Sequence, residues 1–230
     1  MITYTITGKT DGFGSQYHAI MSGVALCHRY NLLYIHTPIK SLEHNVNVDE
    51  VNTFIGIPTG SIEGCTHSEE FSGEVHYSER PSLFYTPRVV QQLRDWYYST
   101  TKPEIQNIDI AIHIRRGDVT KVDHPGRFTD TSVYVKAIET LRNFYPTYTI
   151  TIFSEGSIDD FKELGLPAEC FRLNVDVKET FHSLVTSKIL VMSKSSLSYA
   201  AAILNKNSVY YEEFWHKPLD GWLKINVLSI

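Results

Sequence analysis

The sequence predicts an α/β protein built from two domains, each with a parallel β-sheet covered by helices. The first observation is an N-terminal strand–turn–helix–strand pattern, which is typical of a parallel strand pair joined by a crossover helix. The second is a regular alternation of apolar strands and helical repeats through the second half of the chain. The third is a polar connecting segment, STTKPEIQN, which begins at residue 99. We therefore expect one domain over residues 1–103 and a second over residues 104–230.

The first domain is the shorter and the less regular of the two. The periodicity of its apolar residues predicts strands at 2–6 and 32–36 and helices at 16–30 and 87–98. After the first strand, Gly12 and Gly14 allow a tight turn and a close approach of the backbone to a ligand. Residues 40–82 contain only short apolar patches and predict no long helix.

The second domain has a clearer pattern, in which strands and helices alternate. The apolar segments predict strands at 108–114, 147–154, 170–173, 188–193 and 208–212, and helices at 131–144, 157–164, 178–187 and 196–204. Ligands of parallel α/β sheets bind beyond the carboxyl ends of the strands. The turns that follow strands are therefore the places where chemistry is expected.

Composition excludes several classes of protein. A formal net charge of −5 argues against a general nucleic-acid binder. Three distant cysteines, without a CxxC pair, indicate neither a disulfide framework nor a metal site. The N-terminus has no basic segment followed by an apolar core, and no apolar run approaches the roughly 20 residues of a membrane span. We expect a cytoplasmic protein with no membrane span and no bound metal.

The first turn that follows a predicted strand and carries a chemical signal is RRGD, after the strand IDIAIHI. His113 and Arg115 alternate, so their side chains should point to the same side, and Asp118 can orient a guanidinium group. Arginine presents a planar fork of donors that suits phosphate oxygens. Arg115 and Arg116 therefore predict a phosphate site, although a surface cluster of ion pairs would give the same pattern. An adhesion role for the Arg-Gly-Asp tripeptide is disfavoured because it lies at a strand edge.

The second turn is the serine-rich segment SKSS, which joins the strand KILVMS to an alanine-rich helix. Free backbone N–H groups and serine hydroxyls at a helix N-terminus form a ready anion site. Ser195 and Ser196 are the candidates, and Lys194 can add positive charge. Ordinary helix capping by serine explains the same residues without a ligand.

These segments resemble motifs of the GT-B fucosyltransferases that form α1,2 and α1,6 linkages. HIRRGD, residues 113–118, is similar to their HxRRxD motif, and GFGSQYHAI, residues 12–20, to their N-terminal GxGxQ segment. ETFHSLVTSKILVMSKSSLSYAAAIL, residues 179–204, resembles their C-terminal motif, and SSLSYAAAILN and TIFSEG resemble the α1,2 branch in particular. The three matches follow the family's order along the chain.

The resemblance implies a GT-B-like fold, in which two Rossmann-like domains with parallel sheets face a nucleotide-sugar cleft. It also implies a role for each candidate residue. Arg115 would bind the β-phosphate of a GDP-sugar and stabilise the leaving diphosphate, supported by Arg116 and oriented by Asp118. His113 would contact the nucleotide, while Ser195 and Ser196 would hold phosphate oxygens. Glu179 would accept hydrogen bonds from guanine N–H groups. Gly12 and Gly14 would let the first domain close on the donor.

The same resemblance implies an inverting transfer of fucose from GDP-fucose to a glycan or glycoconjugate acceptor. No DxD-like metal motif stands at a strand end, so arginine and a helix dipole would replace a divalent ion. Asp123, or His124 beside it, is the candidate base for the acceptor hydroxyl, although either residue also fits a solvated loop. The alternatives are a transferase for another GDP-sugar and a nucleotide-sugar-binding module without catalysis.

Overall fold

The structure is a computed structural model that describes residues 2–43, 46–60 and 65–226. The chain forms two compact units, and it passes from the first to the second after Pro103. Residues 215–220, which we had placed in the second domain, instead belong to the first unit, and the chain then returns to the second unit at Gly221. The predicted boundary was wrong for these six residues, which we call the excursion, because their composition does not differ from that of the flanking segments.

The first unit contains a parallel sheet of three short strands with helices packed on it. In chain order its elements are β1 (Thr3–Ile6), α1 (Phe13–Tyr30), β2 (Leu33–Tyr34), α2 (Val48–Ile55), β3 (His67–Glu69), α3 (Gly73–His76) and α4 (Pro87–Tyr98). The strand order is β2-β1-β3, and both pairs are parallel. The predicted strand–helix–strand unit is therefore present.

The helix α1 packs unusually close to the sheet because Gly23 has no side chain. A Cβ atom at this position would lie 2.5 Å from Cγ1 of Ile6 and 3.2 Å from Cε2 of Tyr34. The helix ends at Asn31, whose left-handed backbone (φ 55°) lets its N–H donate to the carbonyl of Cys27. This geometry fixes where β2 begins beside β1.

The segment that predicted no long helix contains short elements, among them α2, β3 and α3. Asn47 caps α2 by accepting hydrogen bonds from the N–H groups of Asp49 and Glu50, and Gly56 ends the helix with φ 71°. Each residue of β3 is exposed, so no apolar alternation marks that strand. It is held instead by polar contacts such as the 2.7 Å hydrogen bond from the Tyr4 hydroxyl to Glu69.

The second unit contains a parallel sheet of six strands. Its elements are β4 (Ile110–His113), α5 (Thr131–Phe144), β5 (Ile150–Ser154), a 3-10 helix (Ile158–Leu164), β6 (Phe171–Leu173), α6 (Val177–Thr186), β7 (Ile189–Val191), α7 (Ser196–Leu204), β8 (Ser208–Tyr211) and β9 (Leu223–Lys224). The strand order is β6-β5-β4-β7-β8-β9, so within this unit the order is 3-2-1-4-5-6. That order is the doubly wound Rossmann order. The α/β fold class is confirmed.

The buried core of this unit explains why its strands and helices could be predicted from the sequence. Side chains of β4 and β7 are buried along their whole length, as expected where helices cover both faces of a parallel sheet. The helix α5 adds Tyr134, Ile138 and Leu141 to the same core. By contrast, β9 has two exposed residues and was missed.

No helix within the described ranges has the length and apolar character needed to cross a lipid bilayer.

Candidate functional site

The carboxyl edge of the second sheet contains a topological switch point between β4 and β7. These two strands pair directly, with Ile112 opposite Val191, and the chain winds outward from them in opposite directions. Ligands of doubly wound sheets bind in the crevice at such a point. The RRGD turn follows β4 and the serine-rich turn follows β7, so the fold brings the two predicted turns together.

His113 joins these two turns directly. It is the last residue of β4, only 8% of its surface is exposed, and its Nδ1 lies 2.7 Å from the Ser198 hydroxyl and 2.8 Å from the Ser193 hydroxyl. Burial, followed by the nearby charge of Arg115, lowers the pKa of His113 to about 3. A neutral imidazole therefore connects the end of β4 to the start of α7.

Arg115 is held beside the switch point by an ion pair. Its Nη2 lies 2.6 Å from Oδ2 of Asp118, and its Nε lies 3.3 Å from Oδ1 of the same carboxylate. The turn that places Asp118 there passes through Gly117, whose φ of 76° favours glycine. The two-point contact orients the guanidinium group in the manner expected from the sequence.

The guanidinium group of Arg116 is held by contacts within the second unit. Its Nη2 donates to the carbonyl of Thr129 at 3.0 Å and to the hydroxyl of Thr131 at 3.3 Å, and its guanidinium lies 4.2 Å from the centre of the Phe128 ring. Burial lowers the pKa of Arg116. These contacts make it a residue that fixes the loop leading to α5, which is compatible with a supporting role.

The serine-rich turn forms the N-terminus of α7. Ser195 is the N-cap and accepts a hydrogen bond from the N–H of Leu197 at 3.2 Å, and Ser196 is the first helical residue. Lys194 lies 2.9 Å from the carboxylate of Glu212, so its charge is balanced within the unit. Glu212 also accepts a hydrogen bond from Thr129, which connects this turn to the loop held by Arg116.

Glu179 lies in the first turn of α6 and is partly exposed. Three residues separate the end of β6 from the start of this helix, so its N-terminus lies at the same edge of the sheet as the switch point. At the other end, the side chain of Asn205 donates to the carbonyls of Leu184 and Ser187, which ties α6 to α7. Recognition of guanine by Glu179 stays a prediction.

Asp123 and His124 lie in the exposed loop that follows the RRGD turn. The Thr120 hydroxyl donates to Oδ2 of Asp123 at 2.6 Å, and the backbone N–H of Asp123 donates back to the same hydroxyl oxygen at 2.9 Å. The loop therefore has local order even though both side chains are solvated. A catalytic role for either residue stays a prediction.

Gly12 and Gly14 belong to the first unit, at the start of α1. Gly12 is the N-cap with φ −67°, a conformation open to any residue, and a Cβ atom there would meet only Glu43 Oε2 at 3.8 Å. The glycine that needs its conformational freedom is Gly8, with φ 98°. The turn therefore does not demand glycine at Gly12, and the close approach of Gly12 and Gly14 to a ligand stays a prediction.

A cleft of about 160 Å³ opens at the carboxyl end of β1 in the first unit. Lys9 and Lys40 line it, together with Gln16. The amide nitrogen of Gln16 donates to the carbonyls of Asp11 at 2.5 Å and Ser41 at 2.8 Å, so this glutamine holds the two loops that frame the cleft. No sequence pattern predicted this cleft, because its walls come from separate segments.

The first unit also brings three histidines together: His18, His76 and His216. They offer one nitrogen each within 4.8 Å of one another, which is a possible metal-binding arrangement. The sequence could not reveal it, because the residues are far apart in the chain and follow no ligand spacing.

Comparison with known proteins adds little beyond this geometry. No protein-family model matches the chain, and no curated protein sequence is significantly similar. Among solved structures, E. coli heptosyltransferase WaaC with ADP aligns over 92% of this chain and 86% of its own, at 10% identity and a TM-score of 0.40. WaaC with ADP-2-deoxy-2-fluoro heptose aligns over 97% and 92%, at 10% identity and a TM-score of 0.41.

A bacterial iron-containing dodecameric glycosyltransferase, TibC from enterotoxigenic E. coli H10407, aligns over 91% of this chain and 59% of its own. Its identity is 10% and its TM-score 0.41. Similarity of this degree carries no functional argument. The assignment of a site therefore rests on the second unit, in which a Rossmann-order sheet presents an oriented arginine and a serine-capped helix at its switch point.

Proposed function

We propose that the chain is a GT-B-type glycosyltransferase that transfers fucose from GDP-fucose to a hydroxyl group of a glycan. The transfer inverts the sugar carbon and needs no metal ion. One observation carries the proposal: the two turns matched by the family resemblance meet at the switch point, where His113 hydrogen-bonds to Ser193 and Ser198. Both turns follow neighbouring parallel strands, β4 and β7, at the edge where ligands of such sheets bind.

The diphosphate would bind between Arg115 and the start of α7. Arg115 is already aimed by Asp118, and the helix N-terminus favours negative charge through its dipole and its N–H groups. Ser195 and Ser196 lie at that terminus. His113, being neutral and buried, would position the serine turn and contact the nucleotide without adding charge.

The chemistry follows from charge that develops on the leaving group. The acceptor oxygen attacks the anomeric carbon from the face opposite the diphosphate, a carbon–oxygen bond forms, and the sugar–phosphate bond breaks with its electron pair leaving on GDP. Donors that are preorganised toward this charge lower the barrier. Asp123 or His124 would take the proton of the acceptor hydroxyl. Full turnover by Asp123→Asn would remove Asp123 from that role.

The remaining assignments concern recognition. Glu179 would accept hydrogen bonds from guanine N–H groups, and Arg116 would keep the loop before α5 in place. Gly12 and Gly14 would allow the first unit to approach the donor. A different GDP-sugar, or binding without catalysis, would leave the diphosphate site unchanged and alter only the product.

Calorimetry tests the donor site first. Wild-type protein should bind GDP and GDP-fucose and should not bind UDP or NAD, with GDP-mannose as the comparison for the sugar. Arg115→Ala should weaken GDP binding by roughly tenfold to a hundredfold, because it removes charged hydrogen bonds to phosphate. Arg142→Ala is the matched control, since it removes an equal charge from an exposed position on α5. Equal affinity of the two variants for GDP would overturn the site.

Product analysis separates an enzyme from a binding module. Transfer from GDP-fucose to a panel of glycan acceptors should proceed with EDTA present. Activity that EDTA abolishes and manganese restores would contradict a metal-independent reaction. Binding of GDP-fucose without any product would instead support the binding module.

A further inference from the structure

Three histidines from distant parts of the chain form a compact cluster inside the first unit. His18 lies on α1, His76 is the last residue of α3, and His216 lies on the excursion Trp215–Asp220. Only 1% of the surface of His18 and of His216 is exposed, while His76 is partly exposed. The cluster is therefore enclosed, with one side open through His76.

The three imidazole rings form a nearly equilateral triangle. The ring centres are 4.6 Å apart for His18 and His76, and 4.4 Å apart for each of the pairs that include His216. One nitrogen from each ring lies within 4.8 Å of the others. Nitrogen ligands on a tetrahedral Zn²⁺ ion, at about 2.0–2.1 Å from the metal, lie about 3.3 Å apart. Small ring movements would bring these nitrogens to that separation.

His216 is oriented as metal-binding histidines usually are. Its Nδ1 lies 3.2 Å from the backbone carbonyl of His76, and a carbonyl can only accept, so Nδ1 carries the proton. A ligating histidine commonly donates its other N–H to a backbone carbonyl, which fixes the ring. The Nε2 lone pair of His216 is therefore the one directed to another partner.

The chemistry of the cluster suits a cation, because imidazole nitrogen is the commonest metal ligand in proteins. Two charged side chains that act on the cluster, Lys9 and Asp11, form an ion pair of 2.8 Å with each other.

One polar atom of the cluster lacks a hydrogen bond. Among the described residues, the buried Nδ1 of His76 has no hydrogen-bond partner. Its ring is otherwise surrounded by aromatic groups, including Phe71 at 4.9 Å and Tyr77 at 5.2 Å. A buried polar atom in an aromatic environment calls for an explanation, and a bound ion supplies one.

We propose that His18, His76 and His216 bind a single borderline divalent transition-metal ion, of which Zn²⁺ is the type. An all-imidazole site suits zinc, copper, nickel or cobalt, whereas Mg²⁺ and Ca²⁺ prefer oxygen ligands. The ion would fasten the excursion Trp215–Asp220 to helices α1 and α3 of the first unit. It is a structural site, separate from the diphosphate site of the second unit.

Trp215 gives the site a built-in reporter. Its indole Nε1 donates to Nε2 of His216 at 3.0 Å, so metal binding at Nε2 replaces this hydrogen bond. The indole then changes its environment, and its fluorescence changes with it. Trp215→Phe removes a competitor for Nε2, so this variant should bind metal at least as tightly and lose the fluorescence change.

The direct test uses wild-type protein without a polyhistidine tag, stripped with EDTA and dialysed. Calorimetry with ZnSO₄ should show one ion per chain, and CoCl₂ should produce the visible absorption of tetrahedral cobalt. Zinc at a hundred times its dissociation constant should raise the unfolding temperature by roughly 5–10 °C. Wild-type protein that binds neither ion at micromolar concentration would overturn the proposal.

Two variants test whether the bound ion lies at the histidine cluster. His216→Asn removes Nε2 but keeps an N–H donor near the position of Nδ1, and it should lose zinc binding and the thermal shift. The control, His67→Asn, changes an exposed histidine of β3 and should bind one ion. Equal binding by His216→Asn and wild type would overturn the proposal. If His216→Asn does not fold, Trp215→Phe decides: one bound ion without a fluorescence change supports the site, and a persisting change refutes it.

This site and the proposed transferase can fail independently. GDP calorimetry on metal-free and zinc-loaded protein tests the donor site in both states. Manganese should not replace zinc in an all-nitrogen site, because it lies at the weak end of the divalent affinity series. Loss of activity that zinc restores and manganese does not would therefore indicate the histidine site and not the diphosphate site.

Discussion

Acidification from pH 7.5 to pH 5.0 should destabilise the second unit through the buried imidazole of His113. In the folded protein the pKa of this histidine is about 3, against 6.5 for the ordinary side chain, and burial is the main cause. Below pH 6.5 the unfolded chain binds a proton at this site and the folded chain does not. The stabilisation is therefore complete above pH 6.5 and is lost as the pH falls toward 3.

The size of the effect follows from the two pKa values. Each pH unit below the pKa of the unfolded side chain costs about 1.36 kcal/mol for as long as the folded side chain stays neutral. At pH 5.0, about 1.5 units below that value, His113 should reduce the free energy of unfolding by about 2 kcal/mol. At pH 7.5 the effect is close to zero.

Trp222 offers a local signal for this measurement. It belongs to the second unit, and its ring centre lies 5.2 Å from that of Tyr199 on α7. A parent protein with Trp96→Phe and Trp215→Phe leaves this tryptophan as the only one in the chain. Urea titrations of its fluorescence at the two pH values give the free energy of unfolding for the parent and for His113→Asn.

The substitution His113→Asn keeps a polar atom near the position of Nδ1 but cannot titrate. The parent should therefore lose about 2 kcal/mol more than this variant between the two pH values. His124→Asn, which changes an exposed histidine of the same unit, should behave as the parent does. Equal pH dependence of the parent and His113→Asn would refute a depressed pKa for His113.

Three further substitutions test packing. Gly23→Ala should destabilise the protein by about 1–3 kcal/mol because its Cβ would lie 2.5 Å from Ile6 Cγ1, and the same change should be neutral or stabilising in an Ile6→Ala background. Gly117→Ala should cost about 1–2 kcal/mol from its φ of 76°, plus a steric part that Glu155→Ala recovers. Asn205→Ala should cost about 1–3 kcal/mol, since it removes two buried hydrogen bonds that tie α6 to α7. Urea unfolding measures all three, and additive double mutants would contradict the first two.

The sequence predicted elements well where periodicity and burial coincide. Strand β4 is apolar along its length because both faces of its sheet are covered, and α7 begins and ends where its N-cap serine and apolar run predicted. The convergence of His113 with the serine turn also followed from topology, since the carboxyl ends of parallel strands share one edge. These features depend on local pattern and general rules of connection.

Other features depend on contacts that no local pattern encodes. Strand β3 carries exposed polar residues and is held by cross-strand hydrogen bonds, such as the 2.8 Å bond from Thr66 N–H to the Thr3 hydroxyl. The hydrogen-bond partners of Arg116 and Gln16 could not be predicted either, because they are backbone carbonyls of other loops. The histidine cluster joins residues 18 and 216, which only the folded chain brings together.

The excursion Trp215–Asp220 has a consequence for how the protein is made. The first 103 residues leave the ribosome long before residue 216 does, so the N-terminal unit stays incomplete while strands β4 to β8 of the second sheet are synthesised. A fragment that stops at Pro103 would lack the segment Trp215–Asp220, whose His216 packs against His18 and His76. Complementation should therefore require the late segment: residues 1–103 mixed with a peptide spanning 212–222 should gain protection from protease, and the fragment alone should be degraded.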